Sequence, residues 1–325
     1  MRRIYELDYI RVMAVLMILL CHYFIFSDLN SGVGRYLGGT GNNIFFFVSA
    51  LLYGTIYGPT TAGTGGGKFM IVKKFAVGRI RKLGTSLWPF LFILVALYVI
   101  FGVDFSWRDV GLNFIFLGYL GKLPGNGHLW FLTVLMACYL EMVMLVKFGI
   151  AKRYRNASWL LLALSVAFLI VGEYCGIPSG AFLILGLYGF VFINASWLIE
   201  KSKKMRWWVL TFIIAINLLT IYLEYNGLFE TSRTTHFLLT GLCGFSLLVA
   251  MIRCFPTKSN SVITQLGTIS FEIYLVHHTL CNGPFIMVTH WPFNHVANFF
   301  MMVGLSIFLA VLLHKIGMRL ERYVR

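Results

Sequence analysis

The stretch LDYIRVMAVLMILLCHYF, Leu7 to Phe24, decides the fold class. It is apolar over about the 18 or more residues that are needed to cross a hydrocarbon core, and several further stretches of the chain have a similar composition. Of the 325 residues, 59% are hydrophobic and only 12% are charged, whereas soluble domains average about 25% charged residues. The runs are continuously apolar and lack the alternation of a transmembrane barrel. We therefore expect an all-α integral membrane protein.

About ten transmembrane helices are expected, with a bundle architecture. With the N-terminus inside, 22 of the 27 Lys and Arg residues fall on cytoplasmic segments and four fall outside, which is the pattern of the positive-inside rule. Both termini are therefore predicted to be cytoplasmic, and the net charge of +15 reflects topology, with no nucleic-acid partner. The segment 109–120, DVGLNFIFLGYL, is too short to span and is expected to be re-entrant or interfacial. The predicted spans are 9–27, 42–58, 84–102, 128–147, 158–174, 181–199, 207–223, 237–253, 263–280 and 297–316.

The chain is expected to form a single transmembrane domain over 1–325, with no appended soluble domain. The longest predicted cytoplasmic loop, 59–83, begins with glycines and continues as a basic stretch that contains Lys73 and Lys74. This pattern favours a linker followed by an interfacial helix on membrane lipid, and an anionic cytosolic ligand is the alternative. The six cysteines show no metal-binding spacing, so buried thiols are expected.

Two costly polar residues lie within the first span. Arg11 and His22 are eleven positions apart, about 20° past three full helical turns, so that they share one face of the helix about 16 Å apart along its axis. Arg11 lies at the predicted cytoplasmic end, where it could pair with Asp8 or reach the headgroups. His22 lies in the outer half, where a hydrogen bond between helices is the structural alternative to a functional role.

Three further histidines lie toward the predicted outer side: His128 in GNGHLWFL, and His277 and His278 in SFEIYLVHH. With His22 they could form a catalytic centre or a metal site. No metal-binding motif such as HExxH is present, and the near-neutral pKa of histidine suits acid–base chemistry. We therefore expect no metal.

Four segments in order resemble the membrane-bound acyltransferase-3 family. LDYIRVMAVLMILLCHYF is similar to its arginine–ten residues–histidine signature; NNIFFFVSALLYG, HLWFL and SFEIYLVHH resemble further family segments. The resemblance covers essentially the whole chain, although Ala50 stands where the family usually has glycine. It implies transfer of an acyl group, usually acetyl, from cytosolic acyl-CoA to a sugar hydroxyl of a cell-surface or lipid-linked glycan, and a location in the bacterial inner membrane.

The resemblance also implies roles for particular residues. His22 would be the general base or acyl carrier, and Arg11 would serve the acyl-CoA side. The other expected catalytic residues are His128 and His277. The other expected donor-binding residues are Asp8, Lys73 and Lys74, and the expected acceptor or supporting residues are Glu272, Ser49, Asn43 and His278.

Two other functions stay open at this stage. A transporter or flippase for a glycan or a lipid-linked sugar would also use a polar stripe, outer histidines and the many aromatic residues. A structural or sensory membrane subunit is the third reading. Dependence on acyl-CoA distinguishes the enzyme from both, because only the enzyme binds and consumes that donor.

Overall fold

A computed structural model describes residues 4–57, 67–148, 156–175, 180–228, 233–285 and 287–324; of residues 67–73, 233 and 324 only the backbone is described. The described residues are helical or irregular and contain no β-strand, as expected for an all-α protein. Two short 3₁₀ turns, Gly127–Leu129 and Val288–His290, accompany the α-helices. The α-helices are α1 (Glu6–Phe26), α2 (Ser31–Tyr57), α3 (Gly67–Phe101), α4 (Trp107–Phe114), α5 (Trp130–Lys147), α6 (Ala157–Tyr174), α7 (Gly180–Ile193), α8 (Ala195–Lys203), α9 (Trp207–Tyr225), α10 (Arg233–Cys254), α11 (Ser261–Thr268), α12 (Ser270–Cys281) and α13 (His295–Val324).

Among the described residues, seven helical segments are long and apolar enough to cross a membrane. The pair α7 and α8 would make an eighth span, although its axis bends by 76°. The chain is thus a multi-pass helical protein, while ten spans and cytoplasmic termini stay predictions. Helix α4 has only eight residues and is too short to span. The seven segments are Glu6–Phe26, Lys74–Phe101, Gly127–Lys147, Ala157–Tyr174, Trp207–Tyr225, Thr234–Cys254 and His295–Tyr323.

Helix α2 packs closely and antiparallel against α1. A Cβ added to Gly41 would lie 3.0 Å from the Ala14 carbonyl oxygen, and one added to Gly38 would collide with the side chain of Cys21. Small residues let two helix backbones approach in this way in a membrane. Helix α2 is not among the seven segments, although its 27 residues cover 42–57 of the predicted span 42–58.

The expectation of a separate interfacial helix before the third span is wrong. Helix α3 runs without interruption through 35 residues and joins the basic stretch directly to the apolar one. Residues 59–66 of the predicted loop lie outside the described residues. The continuity fixes the orientation of Arg79 and Lys82 relative to the rest of the bundle, because they belong to the same rigid helix as Ser86.

The predicted span 263–280 is divided into α11 and α12 at Ile269. Asn260 caps α11 by accepting hydrogen bonds from the backbone N–H groups of Val262 and Ile263. The two helices run parallel to α1: a Cβ on Gly267 would lie 3.4 Å from the Cβ of Asp8 at one end, and His278 contacts His22 at the other. All six cysteines are free thiols. Four are buried, but Cys175 and Cys254 are exposed, so the expectation of burial fails for these two.

Candidate active site

The four histidines singled out from the sequence form one cluster where α1, α5 and α12 meet. The ring centroid of His22 lies 4.5 Å from that of His278, 4.9 Å from that of His277 and 6.4 Å from that of His128. The rings of His128 and His278 stack at 4.5 Å. His277 is 0% exposed, His128 3% and His278 5%, whereas His22 is partly exposed. The imidazole of His22 is thus the most exposed ring of the cluster and contacts both His277 and His278.

The backbone assigns the tautomers of two of these rings. Nδ1 of His277 lies 2.7 Å from the carbonyl oxygen of Tyr274, and Nδ1 of His278 lies 2.6 Å from that of Gly125. A carbonyl oxygen can only accept, so each Nδ1 carries the hydrogen and each Nε2 of the neutral ring carries the lone pair. Nε2 of His277 has no hydrogen-bond partner among the described residues. Both rings are therefore oriented as proton acceptors at Nε2.

His22 and His128 have no such support from the described part of the chain. Nδ1 of His22 is buried without a hydrogen-bond partner, and so are both ring nitrogens of His128. A general base is normally held by a second group at its other ring nitrogen. Within the cluster, His277 and His278 meet that condition, and His22 touches both of them.

A cavity of about 150 Å³ lies at the Arg11 end of the same helices. Its cationic residues are Arg11, Arg79 and Lys82. The guanidinium of Arg79 lies 4.7 Å from the centroid of the Tyr53 ring, which also lines the cavity. The carboxylates of Glu272 and Glu321 also line the cavity, so the three cations leave it net positive, which attracts phosphate groups. Ser49, Tyr139, Ser270, Phe271, Glu272 and His314 are among the other lining residues.

Three helices carry a clustered histidine and a cavity residue on the same face. Residues eleven apart on a helix differ by about 20° in direction and by about 16 Å along the axis, and residues seven apart by about 20° and 10 Å. The cluster and the cavity therefore lie above one another along one interhelical axis. The pairs are Arg11 and His22 on α1, Tyr139 on α5 and His128 in the turn before it, and Phe271 and His278 on α12.

Residues 4–315 match the family model described as an acyltransferase domain, Acyl_transf_3. The chain belongs to the membrane-bound acyltransferase-3 family. Comparison with curated proteins and with solved structures gives no match. Membership makes the chain an acyltransferase, and it favours that reading over the transporter. Together with the apolar helices, it indicates a multi-pass membrane protein.

Within this acyltransferase, the structure places Glu272 at the cavity and not in the histidine cluster. Its Oε1 accepts a hydrogen bond from Ser86 Oγ at 2.8 Å and lies 2.9 Å from Nδ1 of His314. The carboxylate therefore holds His314, which is not a member of the histidine cluster. Ser49 also lines the cavity, so two residues expected on the acceptor side lie beside Arg11.

The remaining expected site residues are dispersed. Asp8 pairs with Arg11 at 3.7 Å, which is one of the two alternatives given for Arg11, and its role in donor binding stays a prediction. Asn43 donates to the Gly39 carbonyl oxygen at 2.8 Å and does not line the cavity. Lys74 is exposed and is not a cavity residue either, and the side chain of Lys73 lies outside the described residues. The described residues contain no group of three or more His, Cys, Asp or Glu that could hold a metal ion.

The cavity residues that sequence reasoning missed include Arg79, Lys82, Ser86 and His314. Arg79 and Lys82 are three positions apart, which puts them on neighbouring parts of one helix face. Continuing the helical periodicity from the apolar run back into the basic stretch would have found them. His314 is an ionisable residue within the predicted span 297–316, which is a functional signal by itself. Ser86 carries no signal in the sequence.

Proposed function

We propose that this acyltransferase transfers an acyl group, with acetyl as the first candidate, from cytosolic acyl-CoA to a sugar hydroxyl of a cell-surface or lipid-linked glycan. Its proposed location is the bacterial inner membrane. The observation that carries the proposal is the alignment of a cationic cavity with a histidine cluster along the faces of three helices. A large anion binds at one end of this axis, and acid–base chemistry takes place at the other.

The dimensions suit the donor. The pantetheine arm places roughly thirteen bonds between the thioester sulfur and the first phosphorus, which span about 16 Å when the arm is extended. Arg11 and His22 are also about 16 Å apart along α1. With its phosphates at Arg11, Arg79 and Lys82, the donor would present its thioester to His22.

Aromatic rings pack against one another between the two levels. Phe131 stacks on Phe46 at 4.4 Å and contacts Tyr274 at 4.8 Å. Tyr274 in turn contacts His128 at 5.1 Å. The arm can pass this layer only when these rings rotate, so we expect donor binding to reorganise them. A closed aromatic layer would also keep water away from the thioester when no acceptor is bound.

The chemistry follows from the cluster. In direct transfer, the acceptor hydroxyl oxygen attacks the thioester carbonyl carbon, and a histidine Nε2 takes the hydroxyl proton. The C–O bond forms, the C–S bond breaks, and the proton passes to the departing thiolate to give CoA. The alternative is a transient acyl-histidine on His22, formed with release of CoA and then attacked by the hydroxyl. His277 and His278 hold lone pairs at Nε2 in either route.

The test is binding and transfer with radiolabelled acetyl-CoA. The purified full-length chain in detergent should bind acetyl-CoA saturably, and Arg11→Ala should weaken binding about 10- to 100-fold through loss of a charge-assisted contact. His22→Ala should bind acetyl-CoA but fail to transfer label to membrane glycans of the producing cells. A folded wild-type chain that does not bind acetyl-CoA would refute the proposal.

A further inference from the structure

The two carboxylate oxygens of Glu272 have different surroundings. Oε1 is held by Ser86 and His314, as described above. Oε2 is buried and has no hydrogen-bond partner among the described residues. Glu272 is only 5% exposed, and it lines the cavity that contains Arg11. A buried acceptor without a donor is costly, so an unpaired oxygen at a cavity wall points to a donor supplied by a bound molecule.

The charge of the cavity limits what that donor can be. Arg11, Arg79 and Lys82 favour phosphate groups at this end of the bundle. A phosphate placed against Oε2 would instead meet a carboxylate of the same sign. The group that satisfies Oε2 is therefore a neutral one that carries a hydrogen, such as an amide N–H.

The distance of Glu272 from the histidine cluster along α12 indicates which N–H group of the donor it could contact. Glu272 precedes His277 by five residues and His278 by six, which is about 7.5 to 9 Å along the helix axis. In acyl-CoA, the amide nitrogen of the β-alanine unit lies roughly seven bonds from the thioester sulfur, about 8 Å in an extended arm. The amide nearer the sulfur lies only about 4 Å from it.

We propose that Oε2 of Glu272 accepts a hydrogen bond from the β-alanine amide N–H of the pantetheine arm. Ser86 and His314 act as positioning residues that hold the carboxylate through Oε1. This inference rests on the proposed function and assigns Glu272 to the donor side. The site would then recognise acyl-CoA by its pantetheine arm at Glu272 as well as by its phosphates at the three cationic residues.

The experiment compares two donors on two proteins. Acetyl-CoA and its analogue with an ester oxygen in place of the β-alanine N–H are titrated against purified wild type and Glu272→Gln. With wild type, the ester should bind about 10- to 100-fold more weakly, the range for a hydrogen bond to a charged group. With Glu272→Gln, the two donors should bind within about threefold of each other, because Ser86 and His314 donate to the amide oxygen and leave the amide nitrogen, which cannot accept, facing the arm.

Ser86→Ala tests the positioning role, since it removes a donor to Oε1 and leaves Oε2 in place. It should reduce the difference between the amide and the ester, but by less than Glu272→Gln does, because His314 still holds Oε1. Lys74→Ala, an exposed lysine that does not line the cavity, is the matched control and should keep the full difference. A second probe, acetyl-pantetheine, lacks the phosphates and keeps the amides. Glu272→Gln should weaken its binding as it weakens that of acetyl-CoA, while Arg11→Ala should leave it unchanged.

The outcomes separate the two proposals. If wild type binds acetyl-CoA and its ester analogue equally, Glu272 does not bind the arm and the acyl-CoA proposal stands. If Glu272→Gln keeps the full difference, another group accepts the N–H, and the assignment is again wrong. If folded wild type binds no acetyl-CoA, both proposals fail. Should Glu272→Gln not fold, the wild-type and Ser86→Ala comparisons decide.

Discussion

His277 offers a substitution that separates its chemistry from its packing. In His277→Asn, the side-chain amide nitrogen can take the place of Nδ1 and donate to the Tyr274 carbonyl oxygen, 2.7 Å from Nδ1 in the structure. The variant has no counterpart of Nε2, the atom that carries the lone pair. It therefore keeps the local hydrogen bond and removes the proton acceptor.

The expected sizes of the two effects differ. Loss of a general base lowers kcat about 10²- to 10⁴-fold, or about 2.7 to 5.4 kcal/mol in the barrier. His277→Ala would in addition leave the Tyr274 carbonyl without this donor, at about 1 to 3 kcal/mol of stability. Because His277 is 0% exposed, the alanine variant also leaves a void, so its melting temperature should fall below that of His277→Asn.

The assay measures kcat with saturating acetyl-CoA on acceptor-bearing membranes, beside thermal unfolding of each purified variant in detergent. We expect His277→Asn to unfold close to wild type and to lose activity by at least about 100-fold. If His277→Asn keeps kcat within about threefold of wild type, Nε2 of His277 is not a proton acceptor in the reaction. The tautomer assignment would then describe structure only.

Three further predictions concern packing, charge and topology. Gly38→Val should lower the melting temperature, at a cost of about 1 to 3 kcal/mol or more, because the added atoms collide with Cys21; a normal melting temperature would contradict the close packing of α1 and α2. Lys82→Ala should weaken acetyl-CoA binding several-fold. Lys74→Ala removes an exposed lysine away from the cavity and should bind acetyl-CoA like wild type. Equal losses of affinity in the two variants would indicate that the donor is attracted by the overall positive charge and not by the cavity. A reporter fused after Arg325 should read cytoplasmic, and an external signal would overturn the predicted topology.

The helical class, the shared face of Arg11 and His22, and the four histidines could be predicted because they depend on composition and helical periodicity. The start of α2 at Ser31 could not, since glycines that pack against α1 look like a loop in the sequence. The break at Ile269 could not be predicted either, because an apolar run has the same composition whether or not its helix is interrupted.

Contacts between helices that are far apart in the sequence are the other features that could not be predicted. The link from Ser86 to Glu272 joins residues 186 positions apart, and that from Glu272 to His314 joins residues 42 positions apart. Neither spacing repeats a motif, so the position of Glu272 beside Arg11 emerges only from tertiary packing. Sequence resemblance assigned Glu272 to the acceptor or supporting residues and did not indicate its position beside Arg11.

The uninterrupted course of α3 makes the cavity sensitive to helical register. Arg79, Lys82 and Ser86 belong to one helix, and each added residue rotates the following part of a helix by about 100°. One alanine inserted between Lys82 and Ser86 would therefore turn both cations away from Glu272 without changing the net charge. A full turn of four inserted residues would restore their direction but move them about 6 Å along the axis. Other residues of the basic stretch can vary, but Arg79 and Lys82 must keep their angular position relative to the apolar half of the helix.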